Sequence, residues 1–176
     1  MGKTIYASTG RGVVPINEDA NGNWSIGERT FMPDWEITEL CVDGANRLIA
    51  ATRGDGIWVQ ADTTGKGRTG GWVKPGSGRL GPGKVHCIAI DPVDPDTMYA
   101  GTEPIGIWVT HDRGKTWEQL DGVWKVPEVA GVTYPVPQVE PHLRDITIDP
   151  ANRDVIYAAL QVGYMLKSVD RGKTWK

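Results

Sequence analysis

Short apolar runs, each closed by Gly, Pro or Asp, recur along the whole chain. Three of them align without gaps: Glu39-Leu-Cys-Val-Asp43, Cys87-Ile-Ala-Ile-Asp91 and Asp145-Ile-Thr-Ile-Asp149. A second run follows each: Arg47-Leu-Ile-Ala-Ala-Thr52, Thr97-Met-Tyr-Ala-Gly-Thr102 and Val155-Ile-Tyr-Ala-Ala-Leu160. Then comes a third, Gly56-Ile-Trp-Val-Gln60, Gly106-Ile-Trp-Val-Thr110 and Tyr164-Met-Leu-Lys-Ser168, and a fourth starts near Trp72, Trp117 or Trp175. Runs this short, punctuated by turn residues, predict strands, and none sustains a helical period. Self-similarity in register predicts a repeat of four-stranded units. Residues 4–8, 13–17 and 23–26 predict strands two to four of an earlier unit. The chain 1–176 thus reads as one segment, with a partial unit at 4–28 and further units at 37–74, 85–119 and 143–176.

The turn between the third and fourth runs carries a signature. Thr110-His-Asp-Arg-Gly-Lys-Thr-Trp117 and Ser168-Val-Asp-Arg-Gly-Lys-Thr-Trp175 share one pattern. Asn17-Glu-Asp-Ala-Asn-Gly-Asn-Trp24 keeps the Asp-to-Trp spacing, and Asp62 to Trp72 keeps both ends around a Gly-rich insertion. An Asp in such a turn accepts hydrogen bonds from backbone N–H groups of its own loop. Gly permits φ > 0 where the hairpin reverses, and Trp offers a large apolar face. Asp19, Asp62, Asp112, Gly114, Trp117, Asp170, Gly172 and Trp175 are therefore expected to be scaffold. The pattern resembles the Asp-box, or BNR repeat, of the sialidase-like propellers. That resemblance implies an all-β fold, a β-propeller of four-stranded antiparallel blades. About 3.5 blades are present, short of the number that usually closes a ring. Three explanations stand open: a piece of a longer propeller, assembly with itself or a complementary chain, or, least favoured, a lone four-bladed ring.

Composition narrows the partners. The net charge of −3 argues against nucleic acid and anionic membranes, which call for a basic face. No apolar run is long enough for a membrane-spanning helix. The start of the chain lacks a signal-peptide core, which points to the cytoplasm unless a signal was removed from a secreted protein. Cys41 and Cys87 sit inside apolar runs and read as buried thiols, and no Cys/His spacing suggests a metal. No cofactor is expected.

Propeller topology sorts the loops by face. The Asp-box turns share one face with the loops joining strands one and two, including Asp91-Pro-Val-Asp-Pro-Asp96. That loop reads as turn chemistry, with a calcium site as its other use. The opposite face gathers the inter-blade loops and the turns between strands two and three. Long inter-blade loops fall at 25–36, 75–84 and 121–142, and the last reads as a stretch without clear structure, a mark of binding loops. It carries Trp124, Glu128, Tyr134, Gln138, Glu140 and His142. His86 and Arg144 stand at equivalent strand starts, and Arg11, Arg53, Asp55, Glu103 and Gln161 occupy the short turns. Arg144, His142, His86, Arg53, Trp124 and Tyr134 are the candidate ligand-binding residues. A structural Arg144–Asp145 ion pair between blades is the competing use of that arginine.

Proteins with such repeats include sialidases, xyloglucan-cleaving glycosidases, sortilin-type receptors and photosystem II assembly factors of the YCF48 kind. They share a fold and not a function. The wording of the repeats looks most like that of bacterial BNR-repeat proteins. The Phe/Tyr-Arg-Ile-Pro motif of sialidases is absent, so no catalytic residue carries over from them. A glycosidase needs two suitably spaced carboxylates, for which Glu103, Glu128, Glu140 and Asp145 are the candidates by face. Two functions remain: a binding or assembly propeller that recognises a glycan or protein partner, or a glycoside hydrolase or lyase completed by further blades.

Overall fold

The computed structural model describes residues 3–9, 12–28, 30–31, 36–44, 47–60, 71–75 and 84–176. Asp62 and Arg11 lie outside the described residues. The chain forms four antiparallel sheets arranged as propeller blades. The first holds β1 (Thr4–Thr9), β2 (Gly12–Glu18), β3 (Trp24–Ile26) and β4 (Thr30–Phe31). Here β3 and β4 pair with opposite halves of β2, so the outermost strand is split in two. The second sheet holds β5 (Ile37–Val42), β6 (Leu48–Thr52), β7 (Gly56–Gln60) and β8 (Trp72–Val73). The third holds β9 (Val85–Ile90), β10 (Met98–Thr102), β11 (Gly106–Thr110) and β12 (Glu118–Gln119). The last holds β13 (Leu143–Ile148), β14 (Ile156–Leu160) and β15 (Met165–Ser168).

Blades stack because the two inner ones bury residues on both sheet faces, whereas the last alternates buried and exposed positions along β13. The second strand of one blade packs on the innermost strand of the next: β1 on β5, β6 on β9, β10 on β13. Small residues make the approach close. Ala50, Ala51, Ala100 and Ala158 are fully buried. At Gly101 a Cβ would lie 2.5 Å from Cys87 Sγ and 2.7 Å from Leu143 Cβ, so only Gly fits between those neighbours. Both thiols are free, and burial pushes Cys41 up to about 12 and Cys87 higher still.

The Asp-box turns close as the sequence pattern predicts. Asp112 Oδ1 accepts from Thr116 N (2.9 Å) and Thr110 Oγ1 (2.8 Å), and its Oδ2 accepts from Thr116 Oγ1 (2.7 Å). Asp170 repeats this with Thr174 and Ser168. The degenerate copy behaves alike: Asp19 accepts from Asn21 N, Asn23 N and Asn23 Nδ2. Trp117 and Trp175 donate their indole N–H to Gly114 and Gly172 carbonyls. The residue before each Gly is also left-handed, Arg113 at φ 63° and Arg171 at φ 60°. Its strain is offset by use: each arginine pairs with the loop of its own blade that joins strands one and two, Arg113 with Asp96 and Arg171 with Asp154. The Asp-box turns and those loops therefore share one face.

The 121–142 segment departs from the structureless loop expected. It opens with a 3-10 helix (Asp121–Lys125) and a helical turn, α1 (Pro127–Ala130). Val123, Val126 and Val129, spaced by three, are buried with Leu166 and Trp175 in the core shared by the last two blades. The apolar period is real but too short to stand out as a helix in sequence. Pro127, at the first helical position, presets φ there. Among the described residues, no helix is long and apolar enough to cross a membrane.

Two predictions follow from the scaffold. Asp112 and Asp170 are held down to about 2, first by their Thr hydroxyl hydrogen bonds and then by backbone N–H. An unfolded Asp titrates near 4 (about 3.9), so their contribution is fully present above that pH and is lost as pH falls through about 2. Denaturant titrations of the Asp112→Asn/Asp170→Asn double variant should show a flatter stability profile between about pH 4 and pH 2 than the parent. An unchanged slope would remove the carboxylates from the acid response. Gly101→Ala should cost about 1–3 kcal/mol by overpacking. Part of that loss should return in Gly101→Ala combined with Cys87→Ala, read as the urea midpoint.

Candidate functional site

The face opposite the Asp-boxes is tied together by one repeated hydrogen bond. The N–H after each second strand donates to a carbonyl at the start of the innermost strand: Arg53 to Glu36 (2.9 Å), Glu103 to Lys84 (3.0 Å), Gln161 to His142 (2.9 Å). Directly beyond this contact the innermost strand bulges in all three blades. The register skips Thr38 between Ile37 and Glu39, His86 between Val85 and Cys87, and Arg144 between Leu143 and Asp145. A bulge re-aims a side chain out of the pleat. Thr38 Oγ1 donates to Val85 O of the next blade (2.6 Å), and His86 reaches His142 of the blade after that.

Burial and charge then select one cluster. His86, Glu103 and His142 are all buried, at 7%, 4% and 3% exposure. The Glu103 carboxylate takes Lys84 Nζ on Oε1 (2.9 Å) and His86 Nε2 on Oε2 (2.9 Å). The rings of His86 and His142 stack at 4.1 Å with 22° between their planes. His142 Nδ1 faces the Glu140 carbonyl at 2.9 Å. A carbonyl only accepts, so Nδ1 carries a proton, and in the neutral ring Nε2 bears the lone pair. Among the described residues, that Nε2 is buried without a hydrogen-bond partner. Tyr134 lies tilted against His142 at 6.2 Å, and its hydroxyl accepts from Gln161 Nε2 (3.2 Å).

Electrostatics keep this cluster in a defined state. Burial works to raise the Glu103 pKa, but the hydrogen bonds from Lys84 and His86 outweigh it and hold the carboxyl below its ordinary range. Burial, then the proximity of His142, pushes His86 down despite the Glu103 hydrogen bond. The core of the site is thus a carboxylate beside a neutral His86 ring.

The candidates from sequence divide. Glu103, His86, His142 and Tyr134 come together. Arg53 is exposed, 3.6 Å from Glu36, although its charge reaches His86. Arg144 and Asp145 are exposed, and among the described residues no ion pair joins them. A blade-to-blade pair lies instead on the Asp-box face, where half-buried Arg153 donates from Nε to Oδ2 of buried Asp91 (2.8 Å). Asp91 Oδ1 accepts from Val93 and Asp94 N–H, the turn chemistry expected of that Asp-rich loop. Trp124, Glu128 and Glu140 are exposed, and none is in ring or side-chain hydrogen-bond contact with the cluster. Glu128 lines a cleft of about 460 Å³ with Tyr164, Met165 and Trp175, which shares no residue with the histidines.

Sequence reading missed Lys84, a strand-start residue with no motif, and Glu39. Glu39 occupies the position of Cys87 and Asp145 in its own innermost strand. Its carboxyl accepts from Ile88 N (2.5 Å) and is pushed up by burial, with the Asp145 charge adding to the shift. Stability measurements should separate pinned from loose residues. Glu103→Ala should cost about 1–3 kcal/mol, because buried polar partners lose their acceptor. Arg144→Ala should stay within about 0.5 kcal/mol. Equal effects in urea unfolding would contradict the geometry.

Comparisons with known proteins agree on the fold. The BNR-Asp box repeat family matches residues 107–120. A probable oligoxyloglucan-reducing end-specific xyloglucanase of Neosartorya fischeri is 26% identical over 106 residues, 57% of this chain and 11% of that protein. An ancestral GH74 enzyme aligns over 98% of this chain and 22% of its own, with TM-score 0.65 and 14% identity. YCF48 from Cyanidioschyzon merolae aligns over 98% and 52%, with TM-score 0.65 and 16% identity. YCF48 bound to D1 peptide gives 0.61 and 15%, over 98% and 49%. At such identities the likeness shows the fold alone. The chain spans between about a tenth and a half of these proteins. It carries Asp-box repeats and is built as β-propeller blades.

Proposed function

We propose that this run of Asp-box propeller blades is a recognition module. Its ligand, a glycan or a peptide, docks on the loop face around His142, His86 and Tyr134. The observation that carries the reading is the buried, unpartnered Nε2 of His142. A lone pair left unsatisfied in a polar cluster is costly unless a donor arrives, and a sugar hydroxyl or peptide N–H is such a donor. Glu103, pinned by Lys84 and His86, holds the donor and acceptor pattern in place before the ligand binds. One YCF48 structure is bound to D1 peptide and the Neosartorya fischeri relative is a probable xyloglucanase, so both ligand classes belong in the test. Among the described residues, β1 pairs only with strands of its own sheet through β2. Among the described residues no strand lies on its other edge, which suits ring closure by further blades of a longer chain, a second copy or a complementary chain.

Screening on glycan and peptide arrays in EDTA, followed by calorimetry, should identify a ligand whose affinity falls at least about tenfold in His142→Gln, a loss of one buried hydrogen bond. Trp124→Ala should leave that affinity unchanged. A ligand indifferent to His142 would place recognition elsewhere.

Hydrolysis is the second reading, and Glu39 is the observation that favours it. Among the inner-strand carboxyls, burial raises this one toward the range of a general acid, and Asp145 is the neighbouring carboxylate whose charge acts on it. Turnover of xyloglucan oligosaccharides that disappears in both Glu39→Gln and Asp145→Asn would establish it. Glu103, held ionised, is unsuited to the acid role.

A further inference from the structure

We propose that His86, Glu103 and His142 form a binding site for a divalent transition-metal ion of the zinc class. One donor atom from each of the three lies within 4.8 Å of the others, and all three side chains are buried. Two imidazoles and one carboxylate are the ligand types such ions take, with open positions left for water or ligand.

Three details separate this cluster from a merely structural one. His142 is anchored by its Nδ1–H on the Glu140 carbonyl (2.9 Å), the outer contact typical of a metal-ligating histidine; that Nδ1 lies 3.9 Å from Glu103 Oε2, and among the described residues Nε2 has no hydrogen-bond partner, so a turn of the ring brings Nε2 to the ion. The Glu103 carboxylate is held in place from both sides, by Lys84 on Oε1 (2.9 Å) and His86 on Oε2 (2.9 Å). His86 Nε2 and Glu103 Oε2 are already 2.9 Å apart, close to the roughly 3.3 Å edge of a tetrahedral site with bonds of about 2.0 Å. The ion takes the place of the proton they share, which moves to Nδ1 of the same ring, so charge and protons balance. Because the rings stack with 22° between planes, their in-plane lone pairs run side by side, and one ring must tilt for both to meet the ion. The pair of residues arises from the fold: the bulge at His86 and the strand start at His142 belong to different blades.

Lys84 provides a sign test. It is a cation at the carboxylate and opposes a second cation, so Lys84→Met should tighten metal binding severalfold, whereas a purely structural role for the cluster predicts no gain. Calorimetric titration with Zn²⁺ should find one site per chain. His142→Gln and Glu103→Gln should weaken it at least about tenfold. His111→Ala, at the exposed remaining histidine, should leave it intact. Co²⁺ should develop the visible bands of a low-coordinate ion on the parent chain. Should a variant fail to fold, anomalous diffraction from the Zn²⁺-soaked parent decides: a peak at the cluster supports the site. Absence of binding, a peak elsewhere, or affinity lost only in His111→Ala would overturn it. Glycan or peptide binding measured in EDTA stands or falls separately.

Discussion

The close approach of each second strand to the next innermost strand is the contact on which the rest depends. Antiparallel ladders make each blade, but a lone sheet leaves two faces to cover. Alanine along β6, β10 and β14, and glycine at Gly101, let neighbouring backbones come within side-chain contact. Van der Waals attraction and exclusion of water then act over the whole blade interface. Leu143 against Gly101 also brings the starts of β13 and β9 near one another, and with them His142 and His86.

Each blade has two functional ends. At one, in the last two blades, the Asp-box carboxylate, its Thr or Ser partner and the indole close a turn almost entirely on itself. Its arginine is committed to the neighbouring loop, as Arg113 is to Asp96. At the other end the bulge turns one side chain per blade out of the ladder, and its identity changes from blade to blade: Thr38, His86, Arg144. A repeated backbone device carrying non-repeated side chains is how one scaffold acquires a single distinctive spot.

Glu103 shows how competing effects settle a local state. Desolvation alone would raise its pKa, and its hydrogen bonds to Lys84 and His86 outweigh that. Glu39 goes the other way, because one backbone N–H does not outweigh its burial. Two carboxyls on the same face therefore differ in charge-state preference for reasons of partner number rather than residue type.

The repeats, strand order, Asp-box chemistry and the face bearing His86, His142 and Glu103 were all legible in the sequence, because they follow from local period and turn chemistry. Helical structure after Asp121 was not, since a three-valine stripe is too short to register as a period and its partners, Leu166 and Trp175, lie in the next blade. Nor was the division among the candidates. Arg144 and His86 are equivalent by alignment, yet one is exposed and the other buried. That difference depends on which chain segment lies opposite, a long-range fact with no local trace. Lys84 and Glu39 became visible for the same reason. Sequence alone determined the blades and the face. Tertiary packing decided which three side chains meet, because the residues at 86, 103 and 142 are brought together by separate strands and turns of two blades.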